Sequence, residues 1–396
     1  MRGRASRVSL IGGRVATGNR WERRDLRIEG GRIVEASTQP ATTIDLAGAG
    51  VLPGLINCHD HLQLNGAPEL RPRTPFPDRA AWADWLREQV ELARPAGLEA
   101  PVEARHWQGG LKNLLAGTTT VAHHDPAHPI LSDPAFPVRV APGGWCHSLD
   151  LAGEYGPSVD RSLAETPGSL PWTIHLAEGT GERVARELEA LRASGGLTER
   201  TLLVHGVALD DAQHEELIAA GAAVIWCPTS NQTLLGRTLD PRRLARDRSL
   251  ALGSDSRLSG ARDLLEELRG ALAASPLDAD DLLPLVTTRG ADLLRLPRAG
   301  RLEPGSWADL LLVNLRMGES PADALLRAER ADLLAVARAG VPRIACPDFA
   351  NWFEAEGIEP LHAHLDDRPK LLSPELIRFP DSLTTLEPGL QAPGPS

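Results

Sequence analysis

The chain has 396 residues, of which 42% are hydrophobic and 24% charged, so it holds enough apolar material for a large core and an accessory domain. Its net charge of -11 comes without a basic, aromatic-rich run, and we therefore expect no nucleic-acid partner. The sequence has no apolar run near the roughly 20 residues that span a bilayer, and the apolar stretch after its basic N-terminus is too short for a signal peptide. These features predict a cytoplasmic protein with no membrane partner.

Short β-type runs separated by paired glycines open the chain. Val8–Ile11, Leu26–Ile28 and Arg32–Val34 have this pattern. The same texture returns after residue 300, in Gly300-Arg301-Leu302-Glu303-Pro304-Gly305 and the apolar run that follows. Because two similar segments flank a different central region, we expect residues 1–50 and 300–345 to form one small composite β-sandwich domain.

The central residues 51–299 alternate apolar β-rich runs with helical patterns, which predicts βα units around a parallel sheet. We therefore expect an α/β fold with a TIM-like (β/α)8 barrel. Seven strand candidates are clear, and the missing one falls between Trp145 and Leu170, which leaves open whether the fourth βα unit is present in shortened form. The candidates are Val51–Ile56, Thr118–Ala122, Val138–Ala141, Trp172–His175, Thr201–His205, Ala223–Cys227 and Ser249–Leu252.

The last part of the chain, residues 346–396, is rich in proline and acidic residues. Its end, from Glu387 to Ser396, shows no periodicity. We expect a C-terminal extension that is partly irregular.

Polar residues stand at the downstream ends of the barrel strand candidates, and these ends open on one face of a parallel barrel. His59 and His61 lie one residue apart, so both imidazoles project to the same side of an extended backbone. His175, His205 and Asp255 end later strands, although Asp255 has the alternative role of a helix cap. Three histidine nitrogens and one carboxylate oxygen suit zinc or ferrous iron and leave a position for water, which indicates catalysis.

At this point the sequence resembles the amidohydrolase superfamily, in particular its deaminase/chlorohydrolase-like (ATZ/TRZ) branch. Residues 51–61 are similar to the family's Pro-Gly-hydrophobic-x-x-x-His-x-His segment, and further motifs follow in the family's order. These are Gly117-Thr118-Thr119-Thr120-Val121 on the second strand, His175-Leu176-Ala177-Glu178, Cys227-Pro228-Thr229-Ser230-Asn231 on the seventh strand, Leu252-Gly253-Ser254-Asp255 on the eighth, and residues 302–310 in the small domain.

The resemblance implies roles for the strand-end residues. His59, His61, His175 and Asp255 would bind one divalent metal, with zinc expected and ferrous iron the alternative. Glu178 would move protons, His205 would orient the nucleophile or the substrate, and Asp255 would also contact the nucleophile, so that a metal-bound hydroxide deaminates a small heterocyclic or amidine-like substrate. The resemblance also implies a homodimer.

The two lysines bear on the number of metal ions. The two-metal branch of the superfamily usually carries a carboxylated lysine on the fourth strand. Lys112 precedes the second strand and Lys370 lies near the C-terminus, so neither stands in that place. We therefore expect a single metal.

Five further residues are weaker candidates for substrate contact: Gln63, His123, His124, Trp145 and Asn231. The ordinary interpretation is loop polarity for Gln63, hydrogen bonding behind the site for the histidines, and wall packing for Trp145.

Two other functions stay open at this stage. The same machinery hydrolyses cyclic or acyclic amides or displaces a halide, and the sequence does not describe the pocket that decides between these reactions. A non-catalytic scaffold would be indicated by the loss of a metal ligand, but the set is intact.

Overall fold

A computed structural model describes residues 7–35, 41–67, 69–93, 96–379 and 387–392 of the chain. The strands are β1 Arg7–Ile11, β2 Arg14–Thr17, β3 Arg20–Arg23, β4 Leu26–Glu29, β5 Arg32–Val34, β6 Thr42–Asp45, β7 Gly50–Pro53, β8 Leu55–Asp60, β9 Thr118–His123, β10 Arg139–Val140, β11 Gly144–Cys146, β12 Trp172–Leu176, β13 Thr201–His205, β14 Ala223–Trp226, β15 Leu250–Leu252, β16 Leu310–Val313, β17 Ala335–Arg338, β18 Val341–Ala345, β19 Leu361–Leu365, β20 Arg368–Leu372 and β21 Leu390–Gln391.

The α-helices are α1 Arg79–Ala93, α2 Ala96–Glu99, α3 Val102–Leu115, α4 Val159–Glu165, α5 Glu182–Ala185, α6 Glu187–Ala193, α7 Asp211–Ala219, α8 Pro228–Leu235, α9 Arg242–Arg246, α10 Leu264–Ala274, α11 Ala279–Leu285, α12 Thr288–Leu293, α13 Pro321–Arg327 and α14 Ala350–Ala355. Short 3-10 helices occupy Leu62–Leu64, Pro129–Ser132, Arg330–Asp332, Pro347–Phe349 and Pro374–Leu376. Within the described ranges, every helix is too short or too polar to cross a membrane.

Parallel strands β8 to β15 form the TIM-like barrel that the sequence predicts. Strands β8, β9 and β10 pair in one sheet and β11 to β15 in another, and all of these pairs are parallel. The largest buried core surrounds them and includes Trp107, Trp172 and Trp226. Because neighbouring strands are parallel, their carboxyl ends share one face of the barrel.

The fourth βα unit is present in shortened form. Strand β11 has three residues and pairs in parallel with β12, and the helix that follows, α4, has seven residues. This strand, which Pro142 and Gly143 precede, is too short to show a periodic pattern in the sequence.

The predicted strand Val51–Ile56 is two strands that belong to different sheets. Strand β7 ends at Pro53 and pairs with β16, whereas β8 begins at Leu55 and pairs with β9. Proline cannot donate a ladder hydrogen bond, and the chain changes sheet at Gly54 directly after it. The single-strand prediction was therefore wrong at this junction.

The first and eighth barrel strands approach each other at a glycine. A Cβ added at Gly253 would lie 2.6 Å from the Cβ of His59 and 2.9 Å from its backbone nitrogen. Two residues later, the backbone nitrogen of Asp255 donates a 3.1 Å hydrogen bond to the carbonyl oxygen of His59. The glycine thus permits the contact that brings His59 and Asp255 together.

Two sheets build the small domain from both ends of the chain. The first has the order β5-β4-β1-β6 and the second the order β21-β19-β20-β18-β17-β16-β7-β2-β3. One core joins N-terminal residues such as Val8 and Ile44 to Leu310 and Ala337. The larger sheet extends past the expected limits at residues 50 and 345, because it also includes β7 and β19 to β21.

The C-terminal extension is more regular than its composition indicates. Helix α14 and strands β19 and β20 are formed, and Leu390–Gln391 pairs with β19. Residues 390–391 are too few to show a strand pattern in the sequence. They form a strand because they hydrogen-bond to β19, about 25 residues earlier. Residues 380–386 and 393–396 of the expected irregular stretch lie outside the described residues.

Helix α8 begins against a buried carboxyl group of helix α10. The Oε1 atom of Glu267 accepts a 3.0 Å hydrogen bond from the backbone nitrogen of Thr229, in the first turn of α8. Burial raises the pKa of Glu267 from 4.5 to about 8. The folded chain therefore keeps this carboxyl protonated at neutral pH, whereas the unfolded chain ionises it.

We expect the contribution of Glu267 to the free energy of unfolding to fall as the pH rises from about 4.5 to about 8, by up to about 1.4 kcal/mol per pH unit, because the folded chain holds on this group a proton that the unfolded chain releases. Glu267→Gln should remove this contribution, since the amide is neutral throughout and keeps an acceptor for Thr229. Chemical unfolding of wild type and variant between pH 5 and 9 measures the difference. Glu266→Gln, an exposed neighbour, is the matched control and should leave the slope unchanged, and a Glu267→Gln slope equal to that of wild type would contradict the assignment.

Candidate active site

Three histidines converge at the carboxyl ends of the barrel strands. His59 and His61 come at the end of β8, and His175 lies in β12. Their donor atoms all lie within 4.8 Å of one another, and the Nε2 atoms of His59 and His175 are 3.3 Å apart. All three residues are buried. The three predicted histidine ligands therefore form one group.

Hydrogen bonds at Nδ1 fix the orientation of His61 and His175. The Nδ1–H of His61 donates to Oδ2 of Asp125 at 2.6 Å, and the Nδ1–H of His175 donates to the backbone carbonyl of His147 at 2.9 Å. An imidazole that donates through Nδ1 presents the lone pair of Nε2 to a ligand.

The imidazole of His124 fixes the orientation of His59 in the same way. The Nε2–H of His124 donates to the carbonyl oxygen of Cys146 at 2.9 Å, which leaves Nδ1 of His124 as an acceptor. This atom lies 3.3 Å from Nδ1 of His59, which donates to it. His59 therefore also presents a free Nε2 toward the group.

The charge states of the three rings follow from their surroundings. Burial lowers the pKa values of His59 and His175 well below the usual range, so both are neutral. Burial alone would also lower the pKa of His61, but the carboxylate of Asp125 outweighs it and raises the pKa to about 9. Neutral imidazole is the form that binds metal, so a metal would replace a proton on His61.

The carboxylate of Asp255 faces this group. Its Oδ1 atom is 3.8 Å from Nε2 of His59 and 3.7 Å from Nε2 of His61. The hydroxyl of Ser230 donates to Oδ2 at 2.7 Å, and the backbone nitrogen of Ser256 donates to Oδ1 at 2.7 Å. Three nitrogen lone pairs and one oriented carboxylate are a donor set that fits a divalent transition metal.

Glu178 and His205 form a second pair beside the histidines. Oε1 of Glu178 lies 3.7 Å from Nε2 of His205, and burial raises the pKa of Glu178. The Nδ1–H of His205 donates to Oδ1 of Asn231 at 2.8 Å. A carboxyl group with a raised pKa next to an oriented imidazole is suited to proton transfer.

Left-handed backbone conformations occur where these side chains leave the strands. Ala177, His205 and Asp255 have φ values of 53°, 75° and 54°. None is glycine, so each conformation costs free energy that the surrounding structure must supply. Such backbone strain is concentrated at functional sites.

A cavity of about 530 Å³ opens over the group. Helix α1 covers one side with Trp82, Leu86 and Val90, which are spaced four residues apart and share one helix face. The predicted residues that line the cavity are His61, Gln63, His175, Glu178, His205 and Asp255. The site therefore combines an apolar wall with a polar base, as expected for a small-molecule site.

Two of the weaker substrate candidates hold other side chains and do not line the cavity. His124 accepts the hydrogen bond of His59, as described above, and is buried. Asn231 is also buried: it accepts from His205, and its Nδ2 donates to Oγ1 of Thr238 at 3.0 Å. For both residues the prediction of substrate contact is corrected to support of a site residue.

His123 and Trp145 line a separate small cavity of about 30 Å³. Nδ1 of His123 accepts a 3.4 Å hydrogen bond from the backbone nitrogen of Leu62. The Trp145 ring packs edge-on against His124, with 5.7 Å between centroids. Gln63 alone among the five lines the larger cavity, where its Nε2 donates to Asp125 at 2.6 Å.

Sequence reasoning missed Asp125 and the roles of Ser230, Arg79 and Tyr155. Asp125 is the second residue after β9, and a polar residue at a strand end is the same signal that identified His59 and Asp255. The guanidinium of Arg79 lines the cavity and pairs with Asp150 at 2.6 Å, and Tyr155 also lines it. No periodic or strand-end signal marks Arg79 or Tyr155, since they come from α1 and from the loop after β11.

Neither lysine reaches the histidine group. Nζ of Lys112 is buried and donates to Asp60 at 3.1 Å and to Asn65 at 3.0 Å. Nζ of Lys370 donates to the carbonyl oxygen of Leu333 at 2.6 Å. Their positions are consistent with the expectation of a single metal, which stays a prediction.

The chain matches a family model described as "Amidohydrolase family" over residues 121–344, more than half of its length. A similar curated protein is the 5-methylthioadenosine/S-adenosylhomocysteine deaminase of Nitratidesulfovibrio vulgaris strain Miyazaki F, which is 27% identical over 338 residues, or 71% of this chain and 75% of that protein.

Two solved structures have the same fold. An adenosine deaminase from Xanthomonas campestris with bound zinc has a TM-score of 0.68 and 22% identity, and the match covers 89% of this chain and 98% of that one. An atrazine chlorohydrolase from Arthrobacter aurescens TC1 complexed with zinc has a TM-score of 0.67 and 21% identity, over 85% and 94% of the two chains. At these identities the likeness shows the fold, which is that of the predicted barrel and β domain.

We expect Asp125→Asn to weaken Zn²⁺ binding about 10- to 100-fold, because His61 would lose the carboxylate that orients its ring and increases its basicity as a ligand. Competition with a chromophoric chelator at fixed pH measures the dissociation constant. Asp133→Asn, which removes a carboxylate paired with Arg378 near the surface, is the control and should bind as wild type does. Equal affinity in wild type and Asp125→Asn would contradict the role given to Asp125.

Proposed function

The chain belongs to the amidohydrolase family, and from that premise we propose that this metal-dependent hydrolase deaminates an aminopurine nucleoside and releases ammonia. One observation carries the proposal: the pair Glu178 and His205 stands beside three histidines whose donor nitrogens lie within 4.8 Å of one another. The non-catalytic alternative has no support, since each predicted ligand is present and faces the same group.

We assign the metal site to His59, His61, His175 and Asp255. The hydrogen bonds at each Nδ1 and at both oxygens of Asp255 support this assignment, because they leave one donor atom of each residue directed at the others. Zinc is the metal proposed, with iron as the alternative for the same donors. A bound divalent ion would lower the pKa of a water molecule toward about 7 and so supply a nucleophile at neutral pH.

Glu178 is the proposed proton carrier. Its Oε1 atom would take a proton from the attacking water and pass it to the leaving nitrogen, so that water adds to the carbon, the carbon–nitrogen bond breaks and ammonia departs. The raised pKa of Glu178 supports this transfer, because burial makes its carboxylate a stronger base than an exposed glutamate and so favours uptake of the proton from water. His205, held by Asn231, would stabilise the charge that develops in the transition state.

The cavity and the curated relatives support a purine nucleoside as substrate. The wall formed by Trp82, Leu86 and Val90 provides apolar and aromatic surface for a planar ring, while the polar groups lie at the base. The curated relative named above is a 5-methylthioadenosine/S-adenosylhomocysteine deaminase. Zinc, a homodimer and a cytoplasmic location stay proposals that derive from the sequence.

A substrate comparison tests the reaction class. The zinc-loaded enzyme would be given adenosine, 5-methylthioadenosine, S-adenosylhomocysteine, a cyclic amide and atrazine, and each reaction analysed for ammonia, ring-opened acid and chloride. Ammonia released in equal amount with the deaminated purine supports the proposal. Ring opening or chloride release without ammonia would instead identify amide hydrolysis or halide displacement on this scaffold.

Glu178→Gln should lower kcat by about 100- to 10,000-fold, because glutamine fills the same space and cannot carry the proton. Metal content should stay at the wild-type level, since Glu178 is not a proposed ligand. Steady-state ammonia release and elemental analysis provide the two readouts. The control is Glu182→Gln, which changes an exposed carboxylate four residues further on and should behave as wild type does. A Glu178→Gln variant with unchanged kcat would exclude the proposed proton carrier.

A further inference from the structure

A carboxylate from the C-terminal segment is buried beneath the active-site face. Glu387 is 0% exposed, although the sequence around it has no pattern of a core element. The two terminal guanidinium nitrogens of Arg257 donate to the carboxylate of Glu387 at 2.8 Å and 2.9 Å, and Nε2 of Gln108 donates to the same carboxylate at 2.8 Å. Arg330 donates to the same carboxylate. A buried charge this well paired holds its partners in fixed positions.

Arg257 belongs to the loop that carries Asp255. In this loop Ser256, Leu258 and Ser259 line the active-site cavity, whereas Arg257 points the other way, to Glu387. The backbone nitrogen of Arg257 donates to Oδ1 of Asn65 at 3.1 Å, which ties the loop to the segment after β8. Glu387 therefore holds the loop from the side opposite the cavity.

The loop needs such support because its geometry is strained. Asp255 has a left-handed backbone with φ of 54°, which persists only where neighbouring contacts impose it. Its carboxylate is held by Ser230, Ser256 and Ser259, of which the last two are in the loop itself. A shift of the loop would move both the carboxylate and two of the groups that orient it.

We propose that Glu387 is a positioning residue of the active site, which anchors Arg257 and thereby holds Asp255 against the three histidines. The C-terminal segment is then part of the metal site, although none of its described residues lines the active-site cavity. The inference rests on the proposed assignment of Asp255 as a ligand. A merely structural anchor would stabilise the fold without changing the metal affinity of the folded protein.

Two variants test the inference through Zn²⁺ affinity, measured on the full chain with a competing chromophoric chelator. Glu387→Gln keeps the shape and removes the charge, and we expect the dissociation constant to rise about 10-fold or more. The double variant Arg257→Met/Glu387→Met removes both charges of the pair while Arg330 keeps its ion pair with Asp366, and the dissociation constant should show the same rise. It decides the outcome if Glu387→Gln fails to fold.

Glu319→Gln is the matched control. Glu319 also binds an arginine with both oxygens, Arg327 at 2.6 Å and 2.8 Å, but it lies outside the active-site cavity. This variant should lower the melting temperature and leave the Zn²⁺ dissociation constant within about two-fold of wild type. Folded Glu387 variants with wild-type affinity would overturn the positioning role. A wild-type chain that binds no zinc would instead overturn the proposed function.

Discussion

Three buried imidazoles can serve one ion only if each is neutral or can lose its proton, and only if each points the same nitrogen at the same place. In this chain a hydrogen bond at Nδ1 of each ring, on the side away from the other two rings' Nε2 atoms, meets the requirement. His61 donates to Asp125, His175 to a backbone carbonyl, and His59 to His124. Burial lowers the pKa values of His59 and His175, while Asp125 keeps His61 charged until an ion replaces the proton. The rest of the site is arranged around these constraints.

The barrel strands bring the site residues to one face, and contacts with neighbouring residues fix the orientation of their side chains. Strand ends bring the side chains to one face, but Ala177, His205 and Asp255 leave their strands with strained backbones. Helix α8 contributes to two site residues at once, since Ser230 holds Asp255 and Asn231 holds His205. The carboxyl group of Glu267, in helix α10, accepts a hydrogen bond from the backbone nitrogen of Thr229 in the first turn of α8. The arrangement is a set of mutually supporting contacts, which is why polar residues far from the cavity matter.

The sequence predicted the barrel from its alternating strand and helix patterns, and it predicted that His59, His61, His175 and Asp255 meet because all of them follow or end barrel strands. It could not tell which way such a side chain points: His124 and Asn231 were weaker candidates for substrate contact, and they hydrogen-bond His59 and His205, which for His124 is the ordinary interpretation given above. The fourth strand was not identified because its three residues, Gly144–Cys146, are too few to show a periodic pattern. Glu387 gave no signal because its burial depends on Arg257 and Arg330, which are distant in sequence.

The number of metal ions bound by the purified chain tests the central claim most directly. The protein would be prepared without chelator, supplemented with zinc or iron, and freed of excess metal before elemental analysis of wild type, His175→Ala and Asp255→Ala. We expect about one divalent ion per wild-type chain and a marked loss in both variants. Two ions per chain would contradict the single-metal site, and no ion in the wild type after supplementation would contradict the account of the site as a whole.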